Sequence, residues 1–121
     1  MTSDDLSDAV ALAEVAAVAA RGVAGVVRLQ PGLVGLLKQL AAQAWERASG
    51  RPVPDIAGVD VDLHADGSVQ IGARIVTAAT HRAVEVGAAV HGAICAAIEA
   101  VTGSVPQVRV RIVEIELEPQ R

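Results

Sequence analysis

The stretch 83–103, AVEVGAAVHGAICAAIEAVTG, constrains this chain more than any other. Val86, Val90, Ile94, Ala97, Ile98 and Val101 recur at i, i+4, i+8, i+11, i+12 and i+15. That spacing draws one apolar stripe along an α-helix. Thr102-Gly103 closes it, because glycine enters the left-handed region that ends helices at little cost. The opposite face holds Glu85, Ala88, Ala89, Gly92, Cys95, Ala96 and Glu99, nearly all small. A solvent-facing helix ordinarily carries longer charged side chains there. The face is read either as alanine bias spread over a helix, or as a flat surface through Ala88, Gly92 and Ala96 on which another helix or subunit docks.

Such a helix must lay its stripe on a core, and the composition limits what that core is made of. The chain is 52% hydrophobic, yet it has no Phe, no Tyr and one Trp. Ala, Val, Leu and Ile therefore build the interior. With 121 residues the chain reads as one domain over 1–121, with short flexible ends near 1–5 and 118–121. At this size folding buries roughly two thirds of the unfolded chain's surface, so neither a metal nor a disulfide is required, and no cofactor is expected.

The same composition weighs against several functions. Without aromatic platforms, binding of single-stranded nucleic acid by stacking is disfavoured. A net charge of −4 removes the bulk electrostatic argument for nucleic acid. The one cysteine, Cys95, cannot close an internal disulfide, and a reducing compartment is the simplest expectation. The start, MTSDDLSD, is acidic where a secretory signal would be basic. The apolar run 9–20 is broken by Glu14 and too short to span a bilayer. These readings predict a cytoplasmic protein without direct membrane insertion.

Along the chain, Ser7 or Asp8 is expected to cap a first helix whose larger apolar members are Leu12, Val15 and Val18, with Arg21 and Gly22 at its end. Gly25 to Leu29 reads as a short extended segment, broken by Pro31-Gly32. A second helix is predicted over 33–49, with Leu33, Leu37, Leu40, Ala44 and Ala48 on one side and Trp45 bordering them. The segment 50–58, GRPVPDIAG, is a loop. Val59, Val61 and Leu63 alternate with Asp60, Asp62 and His64, the period of a strand with one wet face. Asp66-Gly67 marks a hairpin, and the return strand turns Val69, Ile71, Ala73 and Ile75 inward.

The last strand, QVRVRIVEIEL over 107–117, contradicts itself. Val108, Val110 and Ile112 share one parity, and Val113, Ile115 and Leu117 share the other. A regular strand would turn one set to water. The pattern therefore predicts a β-bulge near Ile112-Val113, or an end that leaves the sheet to meet something else. The class is α+β: a three- or four-stranded sheet, the hairpin plus the C-terminal strand, with two to three helices packed mainly on one face. The helix between hairpin and last strand allows a parallel crossover or an antiparallel return.

Few residues form a constellation with chemistry. DVDLHADG over 60–67 resembles part of a calcium loop, but counting from Asp62 places Ala73 where a bidentate Glu belongs. His91 and Cys95 share a helix face, but two ligands do not make a zinc site. No metal site is expected. No serine lies in a strand-turn-helix elbow and no phosphate-binding loop is present. His81 follows Thr80, a natural N-cap for the long helix. Gly32-Leu33-Val34-Gly35 followed by Lys38 fits the G-x-x-G loop of KH domains, which clamps nucleic-acid backbones. Its middle residues are apolar here, with only Arg28 and Lys38 nearby, so a nucleic-acid site at Gly32, Gly35 and Lys38 stands as the alternative.

Taken together, several segments resemble the alkaline shock protein family of envelope stress response proteins. Val15-Ala16-Ala17-Val18-Ala19-Ala20 running into Gly22-Val23-Ala24-Gly25-Val26 is similar to the family's opening helix and its Val-Pro-Gly-Val. The hairpin Gly58 to Leu63 with Val69-Gln70-Ile71 resembles the family's middle. The helix through Val86, Val90, Ile94 and Ile98 to Val101-Thr102-Gly103, then Val108 to Ile112, resembles its end. The resemblance spans Leu12 to Leu117 and is that of a divergent member from a high-GC, actinobacterial-like source. Ala24 stands where the family has Pro, Ala79-Thr80 where it has an aromatic-Gly pair, and Val84 where it has Pro.

The resemblance implies a non-enzymatic cytoplasmic scaffold, peripheral at the inner face of the cell membrane through a small membrane-anchoring protein, and a homo-oligomer. It brings no catalytic residue. The candidate interaction surface is Ala88, Gly92, Ala96, Val113, Ile115 and Leu117.

Overall fold

The computed structural model describes residues 3–31 and 56–117. In chain order these form α1 (Ser3–Arg21), β1 (Val26–Leu29), β2 (Val59–Leu63), β3 (Val69–Ala78), α2 (Ala83–Thr102) and β4 (Gln107–Glu116). The architecture is α+β, a four-stranded sheet with both helices on one face. The helix expected over 33–49, and with it Gly32, Gly35, Lys38 and Trp45, lies outside the described residues, as do 1–2 and 118–121.

β3 is the strand on which the others are assembled. Along one edge it pairs antiparallel with β2 and then, further on, with β1. Along the other edge it pairs parallel with β4, so the connection through α2 is the parallel crossover. β1 and β2 meet end to end at Arg74. The Arg74 N–H donates to the Gly58 carbonyl at 2.9 Å, and its carbonyl accepts the Gln30 N–H at 3.0 Å. Gly58 holds φ +89°, and a Cβ there would stand 2.8 Å from the Gln30 nitrogen. Only glycine lets the two strand ends come this close.

The hairpin follows its sequence signal. His64 N–H donates to Ser68 O and Gly67 N–H to His64 O, both at 3.0 Å. The Asp66 carboxylate accepts the Ser68 N–H at 2.9 Å and its hydroxyl at 2.6 Å, and these bonds hold the exposed carboxyl below its ordinary pKa.

The core lies between the sheet and the two helices. Ile71, Ala73 and Ile75 of β3 face Val86, Val90, Ile94 and Ile98 of α2 and Leu12, Ala13, Ala16, Ala17 and Ala20 of α1. α1 packs against α2 and over β1 and β2, while α2 covers β4. Gly103 ends α2 at φ 77°, its N–H on the Glu99 carbonyl.

Four local expectations are corrected. α1 begins at Ser3, so Ser7 and Asp8 sit inside the helix rather than at its cap. Val18 is 64% exposed, because the buried side of α1 is lined by alanines that let it lie close to its neighbours. Val101 is 62% exposed and leaves the stripe, since the helix has run past the core by its last turn. Thr80 does not cap α2. His81 N–H bonds to the Ala78 carbonyl in a turn that must lead the chain off β3 first, and Arg82 becomes the N-cap. The Thr80 hydroxyl instead meets His81 Nδ1 at 3.1 Å.

The contradiction in the last strand is resolved by a bulge where the pattern places it. Ile112 pairs with Ile75, Glu114 pairs with Val76, and Val113 is the extra residue. Val108, Val110 and Ile112 before it and Ile115 after it thus turn to the helix side. β1 carries an irregularity at the same height, with Val26 on Thr77 and Arg28 on Val76. Arg28, Val76 and Glu114 therefore share one row on the outer face.

Candidate docking surface

β4 is ten residues long, and among the described residues its only partner is β3. Among the described residues its other edge is open. Which backbone groups point there follows from the ladder. Arg74 and Ala78 bond toward β1 and β2, so the odd-numbered residues of β3 bond toward β4, as the Ala79 N–H does to the Glu116 carbonyl at 2.9 Å. In the parallel register, Arg109, Arg111, Glu114 and Glu116 thus turn their peptide groups to β3. Val108, Val110, Ile112, Ile115 and Leu117 turn theirs outward.

Apolar side chains surround this edge. Ile115 is 49% exposed and Leu117 80%, although the bulge gives Ile115 the core parity. Above the edge, α2 approaches β4 at Gly87, where a Cβ would stand 3.5 Å from Ile112 Cδ1. Val84 and His91, three before and four after Gly87, share that flank. Val84 is 83% exposed and His91 is exposed too.

The sequence-derived candidates fall in two places. Ala88, Gly92 and Ala96 are all exposed on α2, and nothing lies within 4 Å of a Cβ placed at Gly92. Val113 is half-buried at the bulge, beside the exposed Ile115 and Leu117. Gly32, Gly35 and Lys38 lie outside the described residues.

The outer face of the sheet is polar. Arg28 spans it, donating to Glu114 at 3.0 Å and Glu116 at 3.2 Å across the fully buried Val76. Arg74 and Arg111 are register partners, two like charges side by side, and neither they nor Arg109 have an ion pair among the described residues. The Arg74 Nε is buried without a hydrogen-bond partner. An open cleft of about 510 Å³ is lined by Asp60, Asp62, Gln70, Gly72, Gln107 and Arg109, among others. Gly72 is its bare floor, and the Gln70 and Gln107 amides bond at 2.9 Å at one end.

The features that invited metal or catalytic readings sit apart. His91 Nδ1 lies 3.8 Å from the Cys95 sulfur, and no third His, Cys, Asp or Glu joins them among the described residues. Asp60, Asp62, His64 and Asp66 are exposed along β2 and its turn. α2, at 20 residues and mean hydropathy 1.6, is long and apolar enough to cross a bilayer by length and composition, yet it lies along the sheet with four of its side chains buried there.

Sequence reasoning named Ile115 and Leu117 for this surface but gave Val84, Arg28 and Arg74 no place in it. Val84 precedes a Glu and looks like any first-turn residue. The strap from Arg28 to Glu114 joins residues 86 positions apart, which no local pattern signals. Neither protein-family models, nor curated proteins, nor solved structures match this chain.

Proposed function

We propose that this chain is a non-enzymatic protein-binding module of the envelope stress response type. It acts by self-association or by docking on a small membrane-anchoring protein at the inner face of the cell membrane. One observation carries the reading: a ten-residue strand edge open among the described residues, with Ile115, Leu117 and Val84 exposed around it. Long open edges bordered by apolar side chains are surfaces for pairing with another chain. The resemblance to the alkaline shock family points the same way.

The test is purification of tagged protein from membrane and soluble fractions, with and without nuclease, beside the variants Gly92→Arg and Ile115→Glu. Retention of a stoichiometric small membrane protein or of a second copy by the wild type, and its loss in Ile115→Glu or Gly92→Arg, is the expected result. Nucleic acid recovered with the protein and removed by nuclease would replace this reading with the G-x-x-G alternative at Gly32 and Gly35. A turnover assigned to the Cys95–His91 pair and abolished by Cys95→Ala would end the non-enzymatic reading.

A further inference from the structure

We propose that two copies of this chain pair through β4, antiparallel, about a two-fold axis passing between Ile112 and Val113, to make one continuous sheet. The inference rests on the binding-module reading and names the partner at that edge as a second copy.

The order of charges along β4 is self-complementary on reversal. Arg109-Val110-Arg111-Ile112 is followed by Val113-Glu114-Ile115-Glu116. The first half is basic and the second acidic, with apolar residues interleaved. Reversed upon itself about its centre, the segment places Arg111 opposite the partner's Glu114 and Arg109 opposite the partner's Glu116. The same operation places Val110 opposite the partner's Ile115 and Val108 opposite the partner's Leu117. Every opposed pair is then either opposite in charge or apolar on both sides, the pairing that stabilises antiparallel neighbours.

The bulge is what makes this geometrically possible. A two-fold axis perpendicular to a sheet keeps each side chain on its own face. In a regular strand Arg111 and Glu114, three apart, point to opposite faces and cannot be set opposite each other. With Val113 extra, Arg109, Arg111, Glu114 and Glu116 all face outward, and Val108, Val110, Ile112 and Ile115 share the helix side. The backbone agrees independently. Val110 and Ile115, like Val108 and Leu117, turn their peptide groups to the open edge, so these two pairs are the ones that exchange hydrogen bonds.

Three features of the single chain then find a use. Arg109 and Arg111, without an ion pair among the described residues, meet carboxylates. The repulsion between Arg74 and its register partner Arg111 is offset by the partner's Glu114. Exposed Ile115 and Leu117 gain apolar neighbours. The axis also leaves both copies' α2 on the same side of the joined sheet, flank to flank, where the bare backbone at Gly87 and the exposed Val84 meet their counterparts.

The test is sedimentation equilibrium of the full chain with three variants. The wild type is expected at twice 12.3 kDa. R109E/R111E and E114R/E116R each place like charges opposite one another and are expected to be monomeric, with dissociation constants raised at least ~100-fold. Mixed together they become complementary again and form a heterodimer. Ile115→Pro removes an outward N–H without touching the β3 ladder and is expected to give a folded monomer. Register is read in a Cys95→Ala background, where R111C and E114C chains cross-link to each other faster than either does to itself.

A wild type that stays monomeric, or a dimer insensitive to both charge variants with no rescue on mixing, overturns the proposal. A wild type that stays monomeric but captures a membrane protein, with that capture lost in Ile115→Pro, would leave the binding-module reading standing and assign the edge to that partner. If wild type and all variants neither self-associate nor capture a protein, both readings fail together.

Discussion

The two edges of β3 are built oppositely. One is divided between two short strands that meet at Arg74, and α1 packs over both. The other is a single ten-residue strand whose far side is open among the described residues. The first edge is secured locally, by a tight turn at Asp66-Gly67 and by Gly58, where only a glycine fits. The second carries a bulge, a basic half followed by an acidic half, and exposed apolar residues, devices that decide what an edge pairs with rather than whether it folds. The proposed recognition falls on the second edge, at β4.

That contrast can be pressed at four sites, taken here in order of expected effect. Ile75 is fully buried between Leu29 and Ile112, where both edges meet. Ile75→Ala is expected to cost about 3–4 kcal/mol in urea denaturation. A loss below about 1 kcal/mol would mean that the two edges are not held by a common core. Gly58→Ala strains only the junction of β1 and β2, through a positive φ and a backbone clash at Gln30. It is expected to cost about 2–3 kcal/mol, while leaving sedimentation behaviour at β4 unchanged.

Thr77 lies between Val26 and Ile115 with a buried hydroxyl that has no partner. Thr77→Val keeps the shape and removes the unpaired group, so a gain of about 1 kcal/mol is expected in the same measurement. A loss of similar size would show that the hydroxyl finds a partner in solution. The smallest effect belongs to the hairpin. Ser68→Ala removes the strongest of the bonds that hold the Asp66 carboxyl low, so its pKa, followed by NMR, is expected to rise. A depressed carboxyl contributes stability above its unfolded pKa and loses it as pH falls through the folded one. The difference between wild type and Ser68→Ala should therefore be present at neutral pH and vanish in acid.

Much of this was legible from residue order. The stripe Val86, Val90, Ile94 and Ile98 is the buried face of α2, Gly103 is its stop, and Asp66-Gly67 is the hairpin turn. The bulge at Val113 follows from two incompatible parities in eleven residues. Each of these is a short-range signal, in which a period or a turn residue reports its own neighbourhood. The capping of α2 by Thr80 failed because the turn off β3 claimed that segment first, and Val18 failed because apolar size alone does not say which side of a helix meets the core.

The chain by itself determined the α+β class, the face of α2 that is buried, the hairpin turn and the need for either a bulge or a departing end in the last strand, because each is set by side-chain period or by glycine within a few residues. Only the tertiary structure decided that β4 runs parallel to β3, that β1 and β2 share one edge end to end, and that Arg28 reaches Glu114 and Glu116 over Val76. Those choices join residues far apart in sequence, and their energies depend on which groups are brought together, a quantity that no local pattern contains.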